Sequence, residues 1–293
     1  MASPSPTPCL GIIGGSGIYD IEWLQRPRWE TVVGPFGKPS DDLLIGELDG
    51  MRLVFLPRHG RGHRIPPTEV NFRANIDALK RAGVTDILAL SAVGSLREDL
   101  APGTFVVIDQ FIDRTFARVK SFFSSGLVGH VSMADPVCTR LGDVAEACAR
   151  EAGAPCVRRG TYVVMEGPQF STRAESELYR SWGASVIGMT NLPEAKLARE
   201  AELCYATIAM VTDYDCWHQE HGAVTVEQVV AVMGRNVVAA RELVRRAAPR
   251  LRERPAVCPH GCDRALDGAI MTAPAMRDPA VAARLSVVAG RVL

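Results

Sequence analysis

Short apolar runs alternate along the chain with longer stretches in which apolar residues recur at helical spacing. This alternation is typical of a mostly parallel or mixed β-sheet flanked by helices, and it predicts an α/β fold with a mixed central sheet. Glycine, proline or charged residues bound each apolar run, as they bound strands. The predicted strands are residues 10–14, 51–56, 86–92, 104–109, 160–165, 185–188 and 204–212.

The stretches with helical spacing lie between these runs. Thr68 is the expected cap of one helix, and Ser171 or Thr172 that of another. Gly83 and Gly153 are expected to end two of the helices. The predicted helices are residues 68–81, 139–152, 172–182, 193–200 and 225–246.

The absence of linkers within the chain indicates its domain organisation. No linker rich in proline, glycine or serine interrupts residues 10–250, and no repeat of solenoid or propeller length occurs. We therefore predict one domain over residues 10–250, a disordered N-terminus over residues 1–9, and a partly irregular C-terminal extension over residues 251–293.

Composition narrows the class of partner. The chain has 293 residues, of which 47% are hydrophobic, enough for a large core. Lys plus Arg equals Asp plus Glu at 33 each, so neither nucleic acid nor a membrane surface is expected as a partner. The sequence shows neither the pattern of a secretory signal peptide nor that of a membrane span. We therefore expect a cytoplasmic protein that binds a small molecule. The eight cysteines are too few for a disulfide scaffold and are expected to be reduced.

Three strand ends carry groups that suit an anion. The glycines of residues 14–17 leave backbone N–H groups free beside the Ser16 hydroxyl, although a strand-to-helix turn explains the same residues. Arg58 and His59 follow the strand 51–56, where open sheets bind ligands, and a solvated basic loop is the alternative. Ser91 and Ala92 end the strand 86–92 and could complete a nest for phosphate. Together these ends favour a shared phosphate site.

Two further segments could contact a planar ligand or a sugar. Phe170 joins a strand to a helix and could stack on a ring, or it could fill the core. Met189 and Thr190 follow the strand 185–188 and offer a flexible apolar face and a hydroxyl, although a core residue and a helix cap are equally simple interpretations.

Two acids follow the longest apolar run. Asp213 and Asp215 are two residues apart, so in extended chain both carboxylates face the same side, where a protonated acid could donate to a ring nitrogen. As an alternative they are loop and capping acids. A serine or cysteine nucleophile with a neighbouring histidine is not evident, which argues against covalent hydrolysis.

Taken together, the motifs resemble the 5′-methylthioadenosine phosphorylases, a branch of the trimeric purine nucleoside phosphorylase superfamily. The resemblance runs from about Gly11 to about Val244. It is carried by GIIGGSGIY, PFGKPSD, RHGRGH, SAVGSL, IDQFIDRT, EGPQFSTRAE, GMTNLPEAKLARE and ATIAMVTDYDCW.

The resemblance implies phosphorolysis of 5′-methylthioadenosine, and of 5′-deoxyadenosine, with inversion at the sugar carbon. Phosphate is a co-substrate, and no metal or organic cofactor is expected. Asp213 would donate a proton to purine N7 and Asp215 would accept the 6-amino group, while Phe170 would lie against the base and Met189 against the ribose. The implied phosphate ligands are Ser16, Arg58, His59, Ser91, Ala92 and Thr190.

The resemblance also implies a homotrimer, because the 5′ pocket would combine residues 224–230 with His130 of a neighbouring subunit. A phosphorylase of 6-oxopurine nucleosides or methylthioinosine is the alternative on the same fold, and Asp215 argues against it because its carboxylate would face another oxygen. A hydrolytic nucleosidase and a non-catalytic nucleotide-binding module are more distant alternatives. The cluster CPHGC at residues 258–262 has zinc-like spacing without an evident fourth ligand, so no metal site is expected.

Overall fold

A single long strand, β5, connects the parts of the sheet in the computed structural model, which describes residues 7–15, 17–218 and 225–293. β5 pairs in parallel with β1 and β11, and its last residues pair antiparallel with β10. The strands are β1 (Cys9–Gly14), β2 (Gln25–Glu30), β3 (Leu43–Leu48), β4 (Met51–Pro57), β5 (Asp86–Ser95), β6 (Phe105–Val107), β7 (Gln110–Arg114), β8 (Cys156–Arg158), β9 (Thr161–Met165), β10 (Val186–Gly188) and β11 (Cys204–Asp213).

The main order of the sheet is β2-β3-β4-β1-β5-β10-β9-β7, with β11 joining β5 to β6 and β6 pairing with β8. Because β4, β1, β5 and β11 run in parallel, their carboxyl ends reach one edge of the sheet. Open α/β sheets bind ligands at that edge, so the loops that follow these strands are where a site is expected.

Helices cover the sheet on two sides. Alternate residues of a strand point to opposite faces: Ile13 and Ala89 belong to the core shared with α1 and α4, whereas Ile12 and Leu88 belong to the core shared with α2 and α5. The helices are α1 (Phe72–Arg81), α2 (Thr139–Glu151), α3 (Arg173–Ser181), α4 (Asn191–Glu200), α5 (Val226–Leu251), α6 (Pro279–Arg284) and α7 (Ser286–Ala289). The mixed sheet flanked by helices confirms the predicted fold class.

All seven predicted strands are present, each with ends within three residues of those expected. The sequence pattern did not predict four further strands, which are β2, β3, β7 and β8. Every residue of β2 is exposed, and β8 has three residues, so neither carries the buried apolar pattern that reveals a strand.

The predicted cap of α1 was wrong, whereas one of the two caps predicted for α3 is confirmed. Asn71, and not Thr68, caps α1 by accepting the Ala74 N–H at 3.1 Å. Thr172, and not Ser171, caps α3, where it forms a capping box with Glu175. The fifth helix also extends beyond the predicted end at residue 246, to Leu251.

Residues on both sides of the predicted domain 10–250 pack against it. Cys9 is the first residue of β1 and is buried, so it does not belong to a disordered terminus. From the C-terminal extension, Leu266, Leu285 and Val288 are buried in the core beside α1 and α4. The division at residue 250 stays a prediction. Within the described residues, every helix is too short or too polar to cross a membrane.

Candidate active site

Three hydroxyl groups converge beside β5. Ser91 Oγ lies 3.2 Å from Thr190 Oγ1 and 3.2 Å from Tyr162 Oη, and all three residues are buried. Thr190 occupies the N-cap position of α4 without a capping hydrogen bond from its side chain, so its hydroxyl is free to face Ser91. The sequence placed Ser91 at a strand end, but β5 continues to Ser95. A cluster of hydroxyls can donate to the oxygens of an anion.

Gly188 makes room for this cluster. A Cβ atom at position 188 would lie 2.0 Å from Tyr162 Oη, well inside the contact distance of two atoms. The hydroxyl of Tyr162 therefore reaches Ser91 only because residue 188 has no side chain.

Arg58 brings a positive charge to the same place. Its guanidinium is 2% exposed and binds the Glu194 carboxylate through two N–H groups, Nε at 2.8 Å and Nη2 at 3.0 Å, while Nη1 donates to the Leu90 carbonyl at 3.0 Å. Burial lowers the pKa of the Arg58 guanidinium, but Glu194 more than offsets this and raises it above the ordinary value. Three of its five N–H groups are thus engaged within the described residues, which leaves two for a ligand.

His59 lies next to Arg58 and is buried as well. Its Nδ1 lies 2.8 Å from the Ile65 carbonyl oxygen, so Nδ1 carries the proton and donates it there. Burial lowers the pKa of His59 to about 4, and the neutral ring then presents Nε2 as an acceptor. These contacts exclude the solvated basic loop for Arg58 and His59, although Arg61 and His63 in the same segment are exposed.

The glycine loop after β1 lies beside Arg58, whose backbone N–H donates to the Gly14 carbonyl at 2.9 Å. Gly15 faces open space, and Gly17 has a φ of 93° beside Val237 of α5. The chain passes through a turn towards β2 rather than into a helix, so the strand-to-helix interpretation was wrong. Ser16 lies outside the described residues.

Two carboxyl groups lie at the end of β11. Asp213 accepts hydrogen bonds from the Thr212 hydroxyl at 2.7 Å and from the Asp215 backbone N–H at 2.9 Å. Asp215 is 5% exposed, and among the described residues its Oδ2 atom has no hydrogen-bond partner. Burial raises the pKa of both carboxyl groups, and the charge of Asp213 raises that of Asp215 further.

The acids meet for a different reason from the one expected. Asp213 is the last residue of β11, and Asp215 has a φ of 53°, so the chain turns between them and is not extended. The two side chains face the end of β5, because a Cβ atom at Gly94 would lie 2.9 Å from Asp213 Oδ1 and 3.3 Å from the Asp215 Cβ. Gly94 therefore permits the close approach of both acids.

The segment after β9 contacts the loop that carries Asp215. The Cys216 thiol donates to the Ser171 carbonyl at 3.3 Å, which joins the loop bearing Phe170 to the loop bearing Asp215. Phe170 is 48% exposed, so the alternative in which it fills the core was wrong. Its ring lies at the surface of the chain, where it is free to contact a ligand.

Arg118 holds the loop after β9 and the loop after β10 together. Its guanidinium donates to the Glu166 side chain at 3.0 Å and to the Met189 carbonyl at 2.5 Å. A Cβ atom at Gly167 would lie 2.5 Å from the Met189 sulfur, so Met189 packs directly on the backbone of the loop after β9.

The remaining predicted residues are placed as follows. Ala92 follows Ser91 on β5 and lies opposite Met210 of β11. His130 has an exposed side chain, and its backbone N–H donates to the Ala269 carbonyl at 2.9 Å. Within the described residues no hydrogen bond joins the His130 side chain to the other candidate residues. Position 224 lies outside the described residues, whereas Val226 and Val230 of α5 are exposed.

Sequence reasoning missed three residues of this arrangement. Tyr162 lies within a buried apolar strand, Glu194 lies in the first turn of α4, and Arg118 lies in an irregular segment. The sequence carries no signal for Glu194, because α4 also contains Lys196, Arg199 and Glu200.

Known proteins are similar to this chain over nearly its whole length. The family model described as the phosphorylase superfamily matches residues 10–249. S-methyl-5′-thioadenosine phosphorylase from Rhodospirillum rubrum is 62% identical over 286 residues, which cover 98% of this chain and 97% of that protein. The protein of the same name from Geobacter sulfurreducens is 55% identical, with 96% and 98% covered.

Solved structures are similar over the same length. The crystal structure of a methylthioadenosine phosphorylase from an antarctic soil metagenomic library superimposes with a TM-score of 0.91 at 44% identity, covering 97% of this chain and 99% of that chain. Methylthioadenosine phosphorylase from Schistosoma mansoni in complex with adenine gives 0.86 at 40% identity, covering 90% and 99%. The chain therefore belongs to the phosphorylase superfamily and, within it, to the family of S-methyl-5′-thioadenosine phosphorylases.

Proposed function

We propose that this chain catalyses the phosphorolysis of 5′-methylthioadenosine by inorganic phosphate, which yields adenine and 5-methylthioribose 1-phosphate. 5′-Deoxyadenosine is a second substrate. Phosphate is consumed as a substrate, and the reaction needs no metal or organic cofactor. The names of relatives that are up to 62% identical over nearly the whole chain support this substrate.

The observation that carries the proposal is the pairing of two unlike groups of side chains along β5. One group contains the hydroxyls of Ser91 and Thr190 with the Arg58 guanidinium, and the other contains the buried carboxyls of Asp213 and Asp215. The first suits a phosphate and the second suits the nitrogens of a purine.

Phosphate is bound by Arg58, Ser91 and Thr190, together with the Ala92 and Ser16 positions. His59 is neutral at neutral pH, so its Nε2 accepts a hydrogen bond from a protonated phosphate oxygen. Such a site holds the nucleophile against the anomeric carbon while positive charge develops on the ribose.

Adenine leaves from the other side. As the glycosidic bond breaks, electrons move into the imidazole ring, and a proton from Asp213 to N7 neutralises them. Burial raises the pKa of Asp213, which favours the protonated form that this step needs. The Asp215 oxygen without a partner in the described structure accepts the 6-amino N–H. Phe170 covers the base, and Met189 lies against the ribose.

The 5′ substituent binds between subunits of a homotrimer, in a pocket to which α5 contributes apolar residues and a neighbouring subunit contributes its copy of His130. The exposure of Val226, Val230 and the His130 side chain in the isolated chain supports this arrangement. The cytoplasmic location expected from the sequence remains a prediction.

The decisive experiment measures adenine release from 5′-methylthioadenosine with and without phosphate, beside methylthioinosine, adenosine and 5′-deoxyadenosine. We expect release to require phosphate and the 6-amino substrates to be preferred. Asp213→Asn should lose most turnover, whereas the matched exposed change Asp99→Asn should keep it. Phosphate-independent release would identify a nucleosidase, and a preference for methylthioinosine would identify a 6-oxopurine enzyme.

A further inference from the structure

Four cysteine side chains meet in the interior, away from the candidate active site. They are Cys138, Cys204, Cys258 and Cys262, all buried, and their sulfur atoms lie within 4.8 Å of one another. They come from three separate places in the chain: the residue before α2, the first residue of β11 and the loop after α5.

The spacing of the sulfurs matches one mononuclear tetrahedral centre. With Zn–S bonds of about 2.3 Å, two thiolates at tetrahedral angles lie about 3.8 Å apart. Cys138 Sγ and Cys258 Sγ are 3.7 Å apart. The cysteines of a four-iron cluster would be spread further apart, because the iron and sulfide atoms lie between them. A centre with one metal atom is therefore the one that fits.

The loop after α5 brings two of the sulfurs together. Cys258 and Cys262 are separated by three residues, within the usual range for paired zinc ligands. Gly261 has a φ of 65°, and its N–H donates to the Cys258 carbonyl at 2.9 Å, so the chain turns back on itself. His260 in the same loop is exposed and does not face the sulfurs. Two distant cysteines complete the set instead.

The surroundings favour thiolates. The Arg254 guanidinium donates to the Cys204 sulfur at 3.6 Å, and Arg140 also lies beside Cys204. The Asp263 carboxylate accepts the Cys258 backbone N–H at 2.9 Å and the Arg254 guanidinium at 2.9 Å. Both guanidiniums also bind the buried Asp86 carboxylate, so they offer the sulfurs N–H donors and not a net positive charge. The Asp263 contacts fix the loop that presents Cys258.

We propose that these four cysteines form a structural Zn²⁺ site that fastens the segment after α5 to the amino end of β11. Four protein sulfurs fill a tetrahedral shell and leave no position for a substrate, which separates a structural zinc from a catalytic one. β11 spans ten residues from Cys204 to Asp213, so the site lies about 30 Å from the candidate base site. The segment that the metal fastens includes Leu266, Leu285 and Val288 of the core.

The test is the metal content of the full chain, purified under reducing conditions, incubated with Zn²⁺ and freed of excess metal. We expect inductively coupled plasma mass spectrometry to find about one zinc ion per chain. Cys258→Ser and Cys262→Ser should each reduce that content at least about tenfold. Cys156→Ser, a change to a half-buried cysteine outside the cluster, should retain it.

The wild-type chain alone also decides the question, so a variant that fails to fold does not blur it. Co²⁺ in place of Zn²⁺ should give the intense visible absorption of tetrahedral thiolate coordination, and a chelator should lower the melting temperature of the zinc-loaded chain. Less than about a tenth of a zinc per reduced chain, a Co²⁺ spectrum without thiolate bands, or four sulfurs joined as disulfides after purification would overturn the proposal.

Discussion

Replacing Glu194 with alanine would strip the buried Arg58 of its counter-ion. Arg58 and Glu194 side chains are 2% and 1% exposed, and the guanidinium makes two hydrogen bonds to the carboxylate. The Tyr205 hydroxyl, which donates to the same carboxylate at 2.8 Å, would lose its acceptor too. Breaking a buried pair on one side costs about 3–5 kcal/mol, because an uncompensated charge stays in the interior.

The assay is equilibrium unfolding in urea at a fixed chain concentration, which keeps any oligomer contribution constant. A loss of about 3–5 kcal/mol is a large part of the stability of an ordinary domain, about 5–15 kcal/mol. Asp99→Ala is the matched control. Its pair with Arg97 is exposed on both sides, 63% and 44%, and should be worth about 1 kcal/mol or less.

Phosphate binding gives a second measurement on the same variant. Without Glu194 the Arg58 fork is no longer held at two points, so the KM for phosphate should rise more than the KM for the nucleoside. Equal stabilities of the Glu194→Ala and Asp99→Ala proteins would refute the reasoning, since they would show that the Arg58 charge is solvated and not buried.

The remaining predictions concern the groups around the two halves of the site. Asp215→Asn should lower kcat/KM for 5′-methylthioadenosine about 10–100-fold, the effect of one unpaired buried polar group, and shift preference towards methylthioinosine, which competition between the two substrates would measure. Gly188→Ala should destabilise the fold by about 1–3 kcal/mol and weaken phosphate binding, because the new methyl group displaces the Tyr162 hydroxyl; urea unfolding and phosphate titration would show both, and an unchanged phosphate KM would argue against a role for this hydroxyl. The pKa of His59 is lowered to about 4 in the fold, so the unfolded chain binds a proton first as pH falls, and stability should drop between about pH 6.5 and pH 4. His59→Gln should flatten that part of the stability profile, and an identical slope in both proteins would remove His59 as its cause.

Polar residues at the ends of apolar runs were the part of the site that could be predicted from the sequence. Arg58, Ser91 and Thr190 each follow an apolar run, and the structure brings Ser91 within 3.2 Å of Thr190 although the two are 99 residues apart. Parallel pairing of β4, β1 and β5 explains why Arg58 lies near this site. The Ser91–Thr190 contact has a different cause, because β10 runs antiparallel to the end of β5 and so returns towards Ser91. Ser16 stays a prediction.

Groups whose role depends on a distant partner could not be found in this way. The Tyr162 hydroxyl reaches Ser91 only because Gly188 lacks a side chain, a relation between two strands that neither strand records alone. Likewise, residues 258–262 show two cysteines, but the other two of that cluster come from positions 138 and 204. The sequence did not predict β2 because the strand is exposed. Its backbone pairs with β3, and this pairing requires no pattern of apolar side chains.

One strand, β5, sets the distance between the two halves of the site. Ser91 lies in the hydroxyl cluster, and Gly94, three residues later, lies against Asp213 and Asp215. Three residues of extended chain span about 10 Å, and this length is fixed by covalent bonds and by pairing with β11, which lies alongside Ser91 to Gly94. The strand is thus a rigid spacer between nucleophile and leaving group. Under the proposed function, this strand aligns the two reactants without domain closure.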